Sequence, residues 1–317
     1  MSWTTIWDRS RTVLSRDVPP GAGNSATFLV EDRLSRANSL PQRIWTGGAT
    51  AVALAVDQMP DGRIALSHGD MTYETGAGLV AAGDRFRLSY RVDAAGRSGV
   101  IDLRNIDSGA AVSIARAGAR PLRIEDVRPA RAPEFAGIAA FANHDAPAAE
   151  SPGLASGTLV STPRGNVPVE DLHPGAVVLT DNGRPAVVRD VKSRESVTLG
   201  AMAAVRLRAP YFGLEEDICV ARHTRFMLSG PDVDYVLGTD QTTVAAGDLV
   251  DGRTIVNDLQ SPVREFHTID LDRPGCLVSG RCRIAGDDRA AEPYIAADRF
   301  AAQAVMSMPT DALCLMG

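Results

Sequence analysis

Cysteine is scarce in this 317-residue chain: Cys219, Cys276, Cys282 and Cys314, with none before position 219 and no Cys-x-x-Cys pair. A structural zinc site needs closer ligand spacing and neighbouring histidines, so neither a metal nor another cofactor is expected, and the thiols read as free, strand-borne residues. Aromatics make up 5% of the chain, and all three tryptophans (Trp3, Trp7, Trp45) fall in the first 45 residues. That skew implies two separate cores. Positive charge is not in surplus. The formal net charge is −6, which argues against nucleic acid or an anionic membrane surface as a partner. Apolar runs stay well short of the ~18 residues of a membrane-spanning helix. The opening MSWTTIWDRS has no basic segment followed by an apolar one, so it does not read as a secretory signal. A cytoplasmic address is the expectation, with secretion without a cleaved signal peptide as the alternative.

What is present fits an ordinary soluble composition, 44% hydrophobic and 23% charged, long enough for about two domains. The first part is rich in short strand patterns. DRFRLSYRV (84–92) places Phe86, Leu88, Tyr90 and Val92 on one face and Arg85, Arg87, Ser89 and Arg91 on the other, the period of two of a strand. DAAGRSG (93–99) supplies a turn, and VIDLRNI (100–106) alternates again. TFLVED (27–32), AVALAVD (51–57), RIALSH (63–68) and AAVSIARAG (110–118) add further strands. Several short strands at this spacing predict a β-sandwich over 1–126. Asp57 and Asp61, around DQMPDG, fit either a calcium loop or a plain turn. His68 is expected in a loop. Residues 127–152, rich in Ala and Pro, read as a linker, with Phe135, Ile138 and Phe141 docking as a short helical turn and His144 solvated.

From 153 onward the pattern is again β. GTLVSTP (157–163), AVVLT (176–180), PAVVRDVKS (185–193), AAVRLRA (203–209), DICVARHTRFML (217–228), TTVAAGDLV (242–250) and EFHTIDLD (265–272) read as strands, and Asn182-Gly183 as a tight hairpin turn. AADRFAAQAVMSM (296–308) suits one helix in a C-terminal extension over 286–317. The fold class expected is all-β.

The stretch GLASGTLVSTPRGNVPVEDLHPGAVVLT (153–180), with VRLRAPYFG, DICV and RFMLSG following in order, resembles the Hint domain, the hedgehog/intein autoprocessing module, in its bacterial variety. The resemblance covers about 153–285 and implies a β-horseshoe of long curved hairpins. The N-terminal part more loosely resembles lectin- or laminin-G-like jelly rolls. In the Hint family a thiol or hydroxyl on the first residue attacks the carbonyl just upstream, converting an amide into a thioester or ester. A Thr-x-x-His block assists, its histidine protonating the departing nitrogen.

Residue by residue, the resemblance implies a dismantled site. The nucleophile position is Gly153, which has no side chain. Ser151 and Ser156 lie nearby but out of register with the upstream carbonyl. The Thr-x-x-His block falls on Ala221-Arg222-His223-Thr224, with alanine at the hydroxyl position and threonine at the histidine position. His223 is one place away, which on a strand is the opposite face; a bulge between 221 and 225 would return it to the site. His267 shows a similar slip beside Thr268, where relatives often carry histidine. Thr158 belongs with the intact scaffold, His173 sits in a turn, and Cys219 reads as core packing.

Three functions follow from these residues. The first is a Hint domain that has lost self-cleavage and acts as a structural or interaction module, with an unidentified protein or glycan partner. The second is self-cleavage near Pro152-Gly153 with a serine nucleophile. The third is carbohydrate or surface binding by the N-terminal sandwich, which rests on strand pattern alone.

Overall fold

The computed structural model describes residues 2–9, 11–17, 25–35, 40–48, 52–93, 97–129, 137–146, 151–286 and 304–305. The chain divides into two compact units, Met1–Ala148 and Ala149–Gly317. Among the described residues no helix is long and apolar enough to cross a membrane.

In chain order the first unit carries β1 (Trp3–Asp8), β2 (Arg11–Ser15), β3 (Ser25–Arg33), β4 (Gln42–Thr46), β5 (Leu54–Gln58) and β6 (Ile64–His68). It continues with β7 (Met71–Glu74), β8 (Arg85–Asp93), β9 (Ser98–Asn105), β10 (Ala111–Ala117), a helical turn α1 (Ile124–Val127) and β11 (Ile138–Ala142). Two antiparallel sheets result, ordered β10-β9-β8-β3-β11-β1-β2 and β4-β5-β6-β7. Their facing residues form one core in which Phe28, Trp45, Tyr73, Phe86 and Tyr90 are fully buried. Trp45 packs against Trp7 and Phe28 at 5.4 and 5.5 Å between ring centroids, and its indole N–H donates to the Val127 carbonyl at 3.1 Å. Two sheets closed over one shared core make a β-sandwich, the architecture expected for this part of the chain.

The segment read as a linker contains β11, which pairs with β1 on one side and β3 on the other. Ile138 and Phe141 therefore lie on a strand inside the sheet, not on a helical turn; Phe135 lies outside the described residues. Period-two reading missed β11 because IAAFA is buried at every position. His144 is half-buried, its ring edge-on to Trp3 and its carbonyl accepting from the Thr27 hydroxyl at 2.8 Å. His68 is not in a loop. It ends β6 fully buried, with Nδ1 3.3 Å from the Tyr90 hydroxyl and Nε2 3.7 Å from Asp126. Burial holds its pKa below the usual imidazole range, against the pull of the Asp126 carboxylate.

In the second unit the strands are β12 (Leu154–Ala155), β13 (Leu159–Thr162), β14 (Gly165–Pro168), β15 (Val177–Leu179), β16 (Pro185–Val197), β17 (Ala204–Leu207) and β18 (Ile218–Val220). They are followed by β19 (Arg225–Ser229), α2 (Pro231–Leu237), β20 (Gln241–Ala245), β21 (Ile255–Asp258), β22 (Val263–Leu271), β23 (Cys276–Ser279) and β24 (Cys282–Ala285). The main sheet runs β15-β16-β22-β12-β18-β17-β21, beside a four-stranded sheet β20-β19-β24-β23 and the β13-β14 hairpin. Its longest pairing joins β16 to β22, from Val188↔Leu271 to Val197↔Val263. The core gathers Val160, Val178, Phe226, Leu228, Val244 and Ile284. The expected C-terminal helix lies outside the described residues apart from Ala304 and Val305, the latter fully buried.

Candidate functional site

Residue 153 enters the middle of the main sheet. Its neighbour Leu154 pairs with Val220 of β18 on one side and His267 of β22 on the other. The stretch read as one strand over 217–228 is two, β18 and β19, separated by a tight turn that Thr224 N–H closes onto the Ala221 carbonyl at 2.9 Å. Arg222 and His223 form its corner, and Arg222 Nη1 donates to Asn257 Oδ1 at 2.9 Å. His223 therefore takes neither face of a strand; it is a half-buried corner residue. What the turn delivers to Gly153 is Thr224.

Thr224 is buried, and its hydroxyl accepts the Gly153 N–H at 2.9 Å while donating to the Gly153 carbonyl at 2.9 Å. Ala221 N–H also donates to that carbonyl, at 2.9 Å. On the other flank, the Thr268 hydroxyl donates to the Pro152 carbonyl at 2.8 Å. Both ends of the Pro152–Gly153 peptide are thus held by threonine hydroxyls. The Thr224 hydroxyl carries one proton and gives it to a carbonyl, so toward the Gly153 nitrogen it is an acceptor.

Gly153 has no room for a side chain. A Cβ built on it would stand 2.9 Å from Phe266 Cβ and 3.3 Å from the His267 carbonyl oxygen. Phe266 belongs to a small apolar cluster with Ala155, Ala204 and Ala221, against which Cys219 packs. Sequence reading missed Phe266. The available signal was its place two residues before Thr268, which on a strand is the same face.

The remaining candidates lie around this centre. Thr158 is buried and its hydroxyl donates to the Cys219 carbonyl at 3.2 Å, tying the start of β13 to β18. Ser151 Oγ accepts from Arg194 Nη1 at 2.8 Å. Ser156 Oγ lies 2.9 Å from His267 Nε2. His173 is exposed in its turn, its Nδ1 3.1 Å from the Pro174 carbonyl. In the first unit, Asp57 pairs with Arg43 at 2.5 Å and Asp61 with Arg63 at 2.7 Å. Among the described residues no group of three or more His, Cys, Asp or Glu side chains is placed to hold a metal ion.

Cys219 sits beside an ion cluster centred on the buried Asp258. Its Sγ is 3.5 Å from Asp258 Oδ2, which also receives Arg206 Nη2 at 3.0 Å and Arg264 Nη2 at 2.5 Å. Burial alone would raise the Asp258 pKa, but the Arg206 hydrogen bond, the Gln260 backbone N–H and both guanidinium charges hold it below the usual carboxylate range. The thiol responds in the opposite direction, with burial pushing its pKa up to about 12 against the two arginines. At pH 8 such a thiol is thiolate about 10⁻⁴ of the time, roughly a thousandfold less than an ordinary cysteine. Iodoacetamide should therefore leave Cys219 unmodified in the native chain while labelling it readily in urea. Equal rates in both states would refute this.

Residues 152–284 match the sequence model of the family described as the Hint domain. This segment is a Hint domain. Among solved structures, the chain is similar to the MchDnaB-1 intein at 16% identity, over 42% of this chain and 99% of the intein, with a TM-score of 0.29. It is similar to the gp41-1 intein at 14% identity, over 43% and 99%, with a TM-score of 0.26. It is also similar to lectin II from Ulex europaeus at 10% identity, over 44% and 69%, with a TM-score of 0.24. Among curated proteins, none matches the chain. In the Hint domain Gly153 is the second residue of the matched segment, and the threonine contacts described above surround the peptide that precedes it.

Proposed function

We propose that this Hint domain keeps its upstream junction intact and works as a structural or interaction module rather than a self-cleaving one. One observation carries the reading: the nucleophile position lacks a side chain, and the space a side chain would need is filled by Phe266. The hydrogen-bond pattern supports it. An acyl shift requires a proton for the departing nitrogen, and Thr224 faces that nitrogen as an acceptor.

The serine route finds little support in the geometry. Ser156 points toward His267, whereas the Pro152 carbonyl is bound by Thr268, the next residue along β22 and hence on the opposite face. Ser151 lies upstream of the junction and is held by Arg194.

The test is intact mass after prolonged incubation at neutral pH with dithiothreitol or hydroxylamine, either of which would capture an ester or thioester. The expected result is one species of 33.5 kDa. Fragments corresponding to 1–152 and 153–317 would overturn the proposal. Gly153→Cys should also remain uncleaved, and overpacking against Phe266 should cost it about 1–3 kcal/mol of stability. Phe266→Ala should not relieve that strain, because the clashing atom is Cβ itself; Phe266→Gly should.

A further inference from the structure

The main sheet brings a serine and a histidine together on the face away from the Pro152–Gly153 junction. Ser156 Oγ and His267 Nε2 are 2.9 Å apart. Along β22, Phe266 and Thr268 project toward Gly153 and the Pro152 carbonyl, so His267 between them projects the other way. Leu154 lies directly across from His267 on the same side of the sheet, and Ser156 follows two residues later.

The local backbone fixes the serine in place. Thr158 N–H donates to the Ala155 carbonyl at 3.0 Å, closing a tight turn with Ser156 and Gly157 at its corners. Gly157 has φ +86°, as the third position of a type II turn requires. The Glu170 carboxylate then accepts the Gly157 N–H, at 2.9 and 2.7 Å to its two oxygens. Ser156 is exposed, while His267 is 5% exposed and its backbone is paired with Leu154 on one side and Ser193 on the other. An accessible hydroxyl backed by a rigidly held imidazole nitrogen is the arrangement of an activated nucleophile.

We propose that Ser156 and His267 form an acyl-accepting dyad that acts on small esters. Ser156 Oγ bonds to the ester carbonyl carbon as His267 Nε2 takes its proton. The tetrahedral intermediate collapses with cleavage of the bond to the alcohol oxygen. The imidazolium returns the proton to that oxygen, leaving an acylated Ser156 and a free alcohol. Water, deprotonated by His267 in the same way, releases the carboxylic acid and restores the serine. Glu265 is exposed two residues along from His267 on the same face, and Glu170 underpins the turn. These two carboxylates favour cationic or neutral esters over anionic ones.

The experiment uses the full chain with p-nitrophenyl acetate, following p-nitrophenolate release together with peptide mass mapping. Wild type should gain one acetyl group, on Ser156, while the chain stays intact; this outcome is distinct from the fragments that would overturn the reading of the junction. Ser156→Ala should abolish the adduct, and His267→Gln should slow its formation about 10²-fold or more. Ser161→Ala, on the neighbouring β13, should react like wild type. Acetylcholine should compete with the reporter ester, and a succinate half-ester should not. Ser156→Cys offers a reading that does not depend on His267→Gln folding: its thiol should be alkylated by iodoacetamide at pH 7 much faster than that of Ser161→Cys. Absence of acetylation in wild type, an adduct that survives Ser156→Ala, or equal alkylation of the two introduced thiols would overturn the dyad. Competition by the anionic ester equal to that by acetylcholine would overturn the substrate preference.

Discussion

Thr224→Val should lower the stability of the Hint domain by about 2–3 kcal/mol. Valine matches threonine in shape, so the change is one of hydrogen bonding and not of packing. The Gly153 carbonyl retains the Ala221 N–H, but the Gly153 N–H loses the hydroxyl oxygen that accepts it, and a buried donor without an acceptor carries its full desolvation penalty. Thr224→Ser should recover most of the loss. The measurement needs a suitable probe: all three tryptophans lie in the first unit, so their fluorescence follows the sandwich. Hydrogen exchange at the Gly153 amide follows this site directly and should accelerate in the valine variant. Unchanged protection would mean that Thr224 does not hold the junction.

Glu31→Leu should destabilise the sandwich by about 3–5 kcal/mol. Glu31 and Arg87 face each other across β3 and β8, with Arg87 Nη2 3.0 Å from Glu31 Oε2 and side-chain exposures of 7% and 5%. Removing the carboxylate takes from a buried guanidinium the oxygen that accepts from both its Nε and its Nη2. Glu31→Leu combined with Arg87→Met should recover most of the stability, because an apolar pair of similar volume avoids desolvation altogether. Tryptophan fluorescence in a urea titration reports on this unit. A single-variant loss under about 1 kcal/mol would show that the pair is effectively solvated. The expected β8 alternation placed Arg87 correctly on the polar face, but did not show that this face is also buried at Arg87 and Ser89.

The sequence was most informative where chemistry is local. Period-two alternation located β8 and β9, short strand-like runs between Gly, Pro and Asp located β3, β5, β6 and β10, and Asn182-Gly183 marked the turn between β15 and β16. It was least informative where a strand is short or buried on both faces. β11 and the two-residue β12 show no alternation because neither has a solvent side. The DICVARHTRFML stretch misled for a related reason. Its apolar ends fit one strand, but the turn closed by Thr224 N–H on the Ala221 carbonyl separates β18 from β19 and places Thr224 against Gly153.

By itself, the sequence determined that residue 153 is a glycine with no nucleophilic side-chain atom; the one-place displacement of His223 and His267 is what the resemblance to the family implies. Only the tertiary structure decided that Phe266 closes the space beside Gly153, that Thr224 and Thr268 hold the two ends of the junction, and that Ser156 meets His267. Alternation along a strand says which face a side chain takes. The residue it meets there depends on the register between strands far apart in sequence, and that register is set by burial of the whole sheet.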